Sequence, residues 1–287
     1  MGKEVKIHCF SYPAGEPGFR VYGPRVDLIK VIPDTLEGSS LCSDLIIAAQ
    51  LLTRFKDAEL LLPYLPMSRE DRAMDKNGYI TSIGKDTLIN QLFSGANKIT
   101  TYDMHSSACI KTALHLIKDI KPEPEFDLTY EEFDPDIVIF PDGGAKDRYN
   151  YMLVDRADVV GYATKSRTDN GLKIHDVTCV CQPNSESPVN WRESFIDWIG
   201  MESNCKSEVK ILVMDDICDG GATFIKLAEY LKEQCNIVRL NMALHVSHGI
   251  FSKGLDSLLE HYNHIYTTDS FCNFIEHEKL TRYKIFD

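Results

Sequence analysis

The sequence lacks the two features that would place it among membrane or nucleic-acid-binding proteins. No apolar run approaches the roughly 20 residues that a membrane-spanning helix needs, so no membrane contact is expected. There is no basic excess either, because 31 lysines and arginines face 43 aspartates and glutamates, a formal net charge of −12. Such a charge repels phosphate, which excludes nucleic acid binding through a general basic surface. No internal repeat is present.

The cysteines also lack the patterns of a disulfide scaffold or a zinc site. There are nine of them at irregular spacing, an odd number, and no C-x-x-C pair occurs. Residues 1–7 are charged and have no apolar core, so no secretory signal is expected there. These observations favour a reduced, cytoplasmic setting in which most cysteines are small buried apolar residues.

What is present is typical of a globular α/β protein. Hydrophobic residues make up 44% and charged residues 26%, values that exclude disorder of the whole chain. Short apolar runs alternate with helical periodicity, which predicts a mainly parallel sheet flanked by helices. Strands are predicted over 58–62, 99–102, 137–140, 159–162, 209–214, 238–243 and 264–267, and helices over 41–55, over 87–93 and after Gly221.

Two polar segments interrupt this pattern. Residues 121–136 contain three prolines and seven acidic residues, which predicts a loop or linker and places a domain boundary near Asp134. Residues 182–207 are polar and irregular, yet they include both tryptophans, Trp191 and Trp198. This second segment covers an active site, forms an interface, or is a surface helix packed by its own aromatics, and the sequence leaves these readings open.

The strongest functional signal is an acidic pair before a glycine turn in residues 209–223. A predicted buried strand ends in Asp215 and Asp216, the turn Gly220-Gly221 follows, and a helix begins. The carboxyl ends of parallel strands line the ligand crevice of such sheets, and a helix N-terminus there offers N–H groups to a phosphate. Carboxylates suit ribose hydroxyls or hydrated Mg²⁺. The plain alternative is an ordinary turn between strand and helix, with Asp219 or Thr223 only capping the helix.

This segment resembles the D-D-I-x-D-T-x-G-T phosphoribosyl-binding loop of the type I phosphoribosyltransferase fold. Within that fold it is similar to the ribose-phosphate pyrophosphokinases, also called phosphoribosyl diphosphate synthetases. The resemblance implies two tandem phosphoribosyltransferase-like domains, an ATP-binding one over 1–134 and a ribose-phosphate-binding one over 135–287. It also implies that the ribose phosphate is bound by Asp215, Asp216, Asp219, Gly220, Gly221, Ala222 and Thr223.

Further motifs follow in the family's order. Residues 62–72 resemble I-P-Y-x-x-Y-A-R-Q-D-R, and residues 101–105 contain the family's D-x-H. The first resemblance implies ATP contacts, with Glu70 in place of the family's glutamine, and the second implies binding of Mg²⁺–ATP. Without the resemblance, a solvated charged turn would be the better explanation of the first motif, and a structural histidine would explain the second equally well. The implied ATP ligands are Arg69, Glu70, Asp71, Arg72 and His105, and the implied metal ligands of this region are Asp103 and His105.

Two motifs of the second half complete the resemblance. Residues 140–148 resemble S-P-D-x-G-G-x-x-R, which implies that Asp142 is a further metal ligand. Residues 164–167 resemble the K-x-R of the family's flexible catalytic loop, which implies that Lys165 and Arg167 are catalytic cations. Alone, these segments would be an ordinary turn and a surface charge pair.

The implied activity is a Mg²⁺-dependent transfer of the β,γ-diphosphate of ATP to ribose 5-phosphate by a homo-oligomer, a dimer or larger. One departure leaves the acceptor open, because Gly220 stands where the family has a phosphate-binding threonine. The space and the lost hydroxyl would also suit ADP-ribose, which would connect the chain to NAD metabolism. A phosphoribosyltransferase and an inactive regulatory homologue are the remaining alternatives.

Overall fold

A computed structural model of the chain gives the fold of most of its residues. The contacts divide the chain into two compact units, residues 1–121 with 270–273 and residues 122–269 with 274–287. The predicted helix over 87–93 lies outside the described residues. The structure describes residues 6–11, 17–22, 28–31, 41–66, 69, 75–76, 79–80, 96–105, 116–154, 156, 159–168, 171–181, 192–202, 206–235, 238–271 and 275–286.

The N-terminal unit contains a four-stranded parallel sheet. Its strand order is β3-β4-β7-β8, and helix α1 packs Leu51 and Leu52 into the same apolar cluster as Leu60 of β4 and Ile99 of β7. Two short antiparallel pairs, β1-β2 and β5-β6, accompany it. The elements are β1 (Lys6–Ser11), β2 (Pro17–Tyr22), β3 (Leu28–Lys30), α1 (Leu41–Arg54), β4 (Glu59–Leu62), β5 (Asp75–Lys76), β6 (Tyr79–Ile80), β7 (Ile99–Tyr102) and β8 (Ile117–Ile120).

The C-terminal unit is built on an eight-stranded sheet of order β12-β11-β10-β9-β13-β14-β15-β16. The six neighbouring strands β10-β9-β13-β14-β15-β16 pair in parallel. Strands β11 and β12 extend the sheet beyond β10 with antiparallel pairing. The elements are α2 (Glu123–Phe133), β9 (Ile137–Phe140), α3 (Gly143–Tyr149), β10 (Val159–Thr168), β11 (Gly171–Cys181), β12 (Arg192–Ser194), α4 (Phe195–Glu202), β13 (Glu208–Cys218), α5 (Ala222–Gln234), β14 (Arg239–Gly249), α6 (Asp256–Leu259), β15 (His264–Thr268) and β16 (Leu280–Tyr283).

The centre of this sheet is apolar on both faces, as a parallel sheet covered by helices requires. Along β13, Ile211 and Val213 belong to one buried cluster, while Leu212 and Met214 belong to the cluster on the opposite face. Helix α5 covers the first face with Leu227 and its neighbours, and α2 and α3 cover the second. The predicted α/β class with mainly parallel sheets is therefore confirmed.

The prediction of a loop over residues 121–136 was wrong, because α2 occupies most of that segment. Pro122 and Pro124 fall at the start of the helix, where their missing N–H groups would have had no partner in any case, and Pro135 follows its end. Glu123 and Glu125 stand in the first turn, where negative charge is favourable. Phe126, Thr129 and Phe133 form a buried stripe at helical spacing. The division into domains 1–134 and 135–287 stays a prediction, and α2 belongs to the C-terminal unit by its contacts.

Residues 192–202 of the second polar segment form β12 and α4. Strand β12 pairs with β11, and α4 places Phe195, Trp198 and Ile199 in the buried cluster of the sheet. These side chains therefore support the fold at the sheet edge. The sequence pattern predicts no strand here, because β12 is only three residues long and shows no alternation. No helix within the described residues is long and apolar enough to cross a membrane.

His245 gives the C-terminal unit a predicted sensitivity to acid. The side chain is fully buried on β14, its Nδ1 lies 2.8 Å from Thr129 Oγ1, and its ring contacts Phe126 edge-on. Tyr283 on β16 accepts a further hydrogen bond from Thr129. Tyr266 on β15 is the register partner of His245. Burial lowers the pKa of His245 to about 3, so the native protein keeps this ring neutral where the unfolded chain is protonated.

We therefore expect acidification to destabilise the protein through His245. Below the ordinary histidine pKa of about 6.5 the unfolded state binds the extra proton, so the free energy of unfolding falls as the pH decreases. Between pH 7 and pH 5 this costs about 2 kcal/mol. Over the same pH range, the free energy of unfolding of His245→Gln, measured with urea, should fall by about 2 kcal/mol less than that of the wild type. His277→Gln, which replaces an exposed ring, is the control. Equal pH dependence of wild type and His245→Gln would contradict the assignment.

Candidate active site at the carboxyl edge of the C-terminal sheet

The parallel strands of the C-terminal sheet bring the predicted polar residues to one edge. Asp142 follows the carboxyl end of β9, Lys165 lies in the second half of β10, and Asp215 and Asp216 lie near the end of β13. β13 pairs with β9 only as far as Val213, so its two aspartates extend past the last paired residue toward the turn that carries Asp142. This arrangement is the one in which open α/β sheets bind ligands.

Asp216 is held by an arginine from the neighbouring helix. Arg148, in the last turn of α3, places Nη1 2.8 Å from Asp216 Oδ2. The carboxylate side chain is 3% exposed and the guanidinium side chain 22% exposed. Burial by itself would lower the pKa of Arg148, but the charge of Asp216 and the contact with Tyr149 raise it above its ordinary value. The ion pair therefore neutralises a carboxylate that water hardly reaches.

Asp215 has a different environment from its neighbour. Its Oδ1 accepts the N–H of Asp216 at 2.9 Å. Burial raises the pKa of Asp215 well above its usual value, and the nearby negative charges of Asp216 and Asp142 raise it further. The two adjacent carboxyl groups thus differ in chemistry, because Asp216 has a cationic partner and Asp215 resists ionisation. Such differences in pKa are common at functional sites.

Asp142 is both a helix cap and an ion-pair partner. Its Oδ1 accepts the N–H of Ala145 at 2.9 Å, which caps α3, and its Oδ2 lies 2.8 Å from Lys165 Nζ. Burial opposes ionisation, but the hydrogen bond from Lys165 and those from the backbone N–H groups of Ala145 and Gly144 outweigh it and lower the pKa of Asp142. Asp142 is therefore an anion at neutral pH.

Lys165 reaches Asp142 from a strand. The K-x-R segment was expected on a flexible loop, but it belongs to β10, which forms an antiparallel hairpin with β11 up to the pair Thr168 and Gly171. The register of the hairpin shifts between Thr164 and Lys165, an irregularity of the kind that re-aims side chains. Arg167 lies two residues further along β10, and its side chain is outside the described part of the structure.

The glycine turn after β13 leads directly into α5. Gly221 precedes the helix with φ +75°, a left-handed conformation that glycine adopts without strain, and no side chain there caps the first turn. The open N–H groups around Ala222 and Thr223 suit a phosphate. The loop after β14 adjoins this turn, because Ser252 N–H donates to the Asp219 carbonyl at 3.2 Å. A Cβ at Gly220 would lie 3.4 Å from the side-chain carbons of Lys253.

The predicted ATP-side residues belong to the N-terminal unit. Asp103 follows β7, is fully buried, and has φ 41°, an uncommon conformation for a residue other than glycine. Its N–H donates to the Ile120 carbonyl at 2.8 Å. His105 is half-buried nearby in the chain, and Arg69 is exposed. The other three predicted ATP ligands, Glu70, Asp71 and Arg72, lie outside the described residues.

Magnesium fits the donor types at these positions, with one restriction. Mg²⁺ commonly takes one or two carboxylates and completes its shell with waters and substrate phosphates. Asp103 offers such a carboxylate in the N-terminal unit, and Asp142 offers one in the C-terminal unit. The imidazole of His105 is a poorer ligand for it. Within the described ranges, no three His, Cys, Asp or Glu side chains are grouped as ligands of one ion. The restriction is at Asp142, because a directly bound ion would have to displace Lys165 from Oδ2.

The fold and this edge define an α/β protein with paired carboxylates and an open helix N-terminus at the carboxyl ends of parallel strands. No family model matches the chain. Over 257 residues it is 24% identical to the ribose-phosphate pyrophosphokinase of Pyrococcus abyssi, which covers 88% of this chain and 79% of that one. The enzyme of the same name from Mycoplasmopsis pulmonis is 25% identical over 250 residues, 84% of this chain and 68% of that one.

A solved structure agrees with these sequence relatives. The phosphoribosylpyrophosphate synthetase from Mycobacterium smegmatis superposes with a TM-score of 0.70 over 98% of this chain and 86% of that one, at 15% identity. At this identity the structural likeness establishes the fold. Together with the sequence relatives and the ordered motifs, it shows that the chain is a divergent relative of the ribose-phosphate pyrophosphokinases.

Sequence reasoning missed two cations of this edge. Arg148 is the last residue of the motif over 140–148, so a signal was available, but its partner Asp216 lies far along the chain and only the fold brings them together. Lys253 belongs to no motif, and its position beside Gly220 follows from the loop after β14. Neither residue is distinguishable from a surface cation by sequence spacing.

We expect the same substitution to have different effects on stability at the two glycines of the turn. Gly221→Ala should destabilise the protein by about 1–2 kcal/mol, because alanine is strained at positive φ. In addition its Cβ would approach the Leu258 side chain to 3.1 Å. Gly220→Ala is the matched control, since its Cβ meets only the flexible Lys253 stem at 3.4 Å. Equal unfolding free energies for the two variants in urea would contradict the assigned role of Gly221.

Proposed function

We propose that this chain is a Mg²⁺-dependent pyrophosphokinase that transfers the β,γ-diphosphate of ATP to the C1 hydroxyl of ribose 5-phosphate. The observation that carries the proposal is the carboxylate pair Asp215-Asp216 at the end of β13, followed by the glycine turn into α5. It occurs in a chain similar over most of its length to enzymes named ribose-phosphate pyrophosphokinase. The products would be phosphoribosyl diphosphate and AMP.

The proposed reaction is a single displacement at phosphorus. The C1 oxygen attacks the β-phosphorus, the bond from that phosphorus to the α,β-bridging oxygen breaks, and AMP leaves with the bridging oxygen. The proton of the C1 hydroxyl is released to water. Reactions of this kind depend mainly on positioning and charge neutralisation. Mg²⁺, held by Asp103 and His105 in the N-terminal unit and by Asp142 in the C-terminal unit, would supply charge neutralisation at the phosphates.

The side chains of the C-terminal edge then have distinct roles. Asp215 and Asp216 bind the ribose hydroxyls, and the N–H groups from Gly220 to Thr223, with Asp219 at the start of the turn, bind the 5-phosphate. Lys165 and Arg167 stabilise the charge that develops on the transferred group and on AMP. Arg69, Glu70, Asp71, Arg72 and His105 bind ATP. Because Lys165 already pairs with a carboxylate at 2.8 Å, its ammonium lies at the edge where the phosphates would arrive.

A second acceptor, ADP-ribose, is favoured by one observation. Gly220 has no side chain, and the adjacent cation is Lys253, whose stem lies 3.4 Å from the position that a Cβ would take. An esterified 5-phosphate continues into a second phosphate and a nucleoside. It would need space at this position and would gain from a neighbouring positive charge. The same diphosphoryl transfer would then form the 1-diphosphate of ADP-ribose.

AMP release in the presence of ATP and Mg²⁺ tests the function and the acceptor together. We expect ribose 5-phosphate to support release at least tenfold faster than ADP-ribose. The reverse order would establish the alternative acceptor. A protein that releases no AMP with either compound, while the far-ultraviolet circular dichroism shows a folded chain, would contradict both forms of the proposal. Omission of Mg²⁺ with excess chelator is the control and should abolish release.

Substitution of the two proposed catalytic cations tests their role. Lys165→Ala combined with Arg167→Ala should lower the turnover number on the order of 10²–10³-fold, because preorganised charges at the reacting phosphate are removed. The matched control is Lys206→Ala, which removes a lysine that pairs with Asp136 before the amino end of β9, at the opposite edge of the sheet. Unchanged turnover in the double variant would contradict the assignment of these cations.

A further inference from the structure

The ion pair between Arg148 and Asp216 joins the two functional turns of the C-terminal sheet. Helix α3 is seven residues long, and its N-cap is Asp142, whose carboxylate pairs with Lys165. The last turn of the same helix carries Arg148, whose Nη1 lies 2.8 Å from Asp216 Oδ2. One short helix is therefore linked to two of the carboxylates that the proposed reaction uses, Asp142 and Asp216.

The burial of Asp216 makes its orientation dependent on this pair. Asp216 follows Met214 on the face of β13 that packs against α2 and α3, and its side chain is 3% exposed. A carboxylate so far removed from water is costly unless a cation or hydrogen-bond donors hold it. The guanidinium also lies over the Tyr149 ring, with 5.5 Å between its central carbon and the ring centre, which limits the positions it can take.

We propose that Arg148 is a positioning residue for ribose binding. It fixes Oδ2 of Asp216 and so directs Oδ1 to accept a hydrogen bond from a ribose hydroxyl. This inference rests on the proposed function, since it concerns the same ribose. It goes further because α3 would orient the ribose through Arg148 and Asp216, in addition to carrying the proposed metal ligand Asp142 at its N-terminus.

A purely structural ion pair would give a different kinetic pattern. If Arg148 only stabilised the fold, its loss would lower the melting temperature and the amount of active enzyme, and both Michaelis constants would stay unchanged. A positioning role would affect the KM of the acceptor selectively, because in the proposed complex the ribose contacts Asp216 and ATP does not. The distinction therefore requires separate KM values for ribose 5-phosphate and ATP, and not activity alone.

The experiment compares Arg148→Met and Arg148→Lys with wild type and with Arg156→Met. Arg156 is the matched control because it pairs with Asp127 on the surface, with 39% of its side chain exposed. We expect Arg148→Met to raise KM for ribose 5-phosphate at least tenfold and to leave KM for ATP within about twofold. Arg148→Lys keeps the charge without the planar fork and should recover part of the loss. Arg156→Met should match wild type.

Two further measurements keep the inference falsifiable. Calorimetric titration with ribose 5-phosphate reports binding without turnover. The double variant Arg148→Met, Asp216→Asn removes both charges, so it avoids an unpaired buried anion if Arg148→Met alone does not fold. In the double variant, ribose 5-phosphate binding should be no weaker than in Asp216→Asn alone, because Arg148 acts through Asp216. A clearly additive loss would overturn the inference.

The outcomes separate this inference from the proposed function. A wild-type protein that releases AMP, with an unchanged KM for ribose 5-phosphate in Arg148→Met, would overturn the positioning role and leave the function standing. Equal increases of both Michaelis constants would overturn it as well. A folded wild-type protein that neither releases AMP nor binds ribose 5-phosphate would overturn the proposed function and this inference with it.

Discussion

The C-terminal site depends on the burial of β13, which is covered on both faces and still carries two aspartates near its carboxyl end. Apolar side chains occupy the strand from Ile211 to Met214, because helices lie on either side of it. Carboxylates can follow only where charge or hydrogen bonds compensate for the loss of water. Asp216 obtains a guanidinium from α3, and Asp215 accepts a backbone N–H and has a raised pKa. The position of α3 is thus a condition for an acidic strand end.

The same constraint bears on how a protein of net charge −12 would bind the proposed anionic substrates at this edge. Two of the carboxylates there are already matched with cations: Lys165 pairs with Asp142, and Arg148 pairs with Asp216. A phosphate that binds Lys165 would have to compete with Asp142. The net binding free energy would therefore be the difference between the ion pair of Lys165 with the phosphate and its ion pair with Asp142. A metal ion at Asp142 would shift that difference, because it would take the carboxylate and leave the ammonium to the phosphate.

Local sequence was sufficient to predict a strand where the burial of a short run of residues determines it. The apolar run before Asp103 predicted β7 with the bounds that the structure has, and the run before Asp215 predicted the buried centre of β13. The prediction of a loop failed at α2, because the effect of a proline depends on its place in the helix. The helix tolerates its prolines because they fall in its first turn. The partnership of Arg148 with Asp216 required the parallel register of β9 and β13, which sequence spacing does not contain.

The acceptor question reduces to the chemistry beside one glycine. A threonine at position 220 would direct one hydroxyl to a terminal phosphate, and that bond is modest because water competes for it. Lys253 instead brings a mobile positive charge on a flexible stem, whose carbons lie 3.4 Å from the missing Cβ. A charge of this kind attracts a monoester dianion and a diester chain alike, with little demand on geometry. Lys253 would therefore attract either acceptor, and the missing side chain at Gly220 is the feature that would admit the continued diphosphate of ADP-ribose.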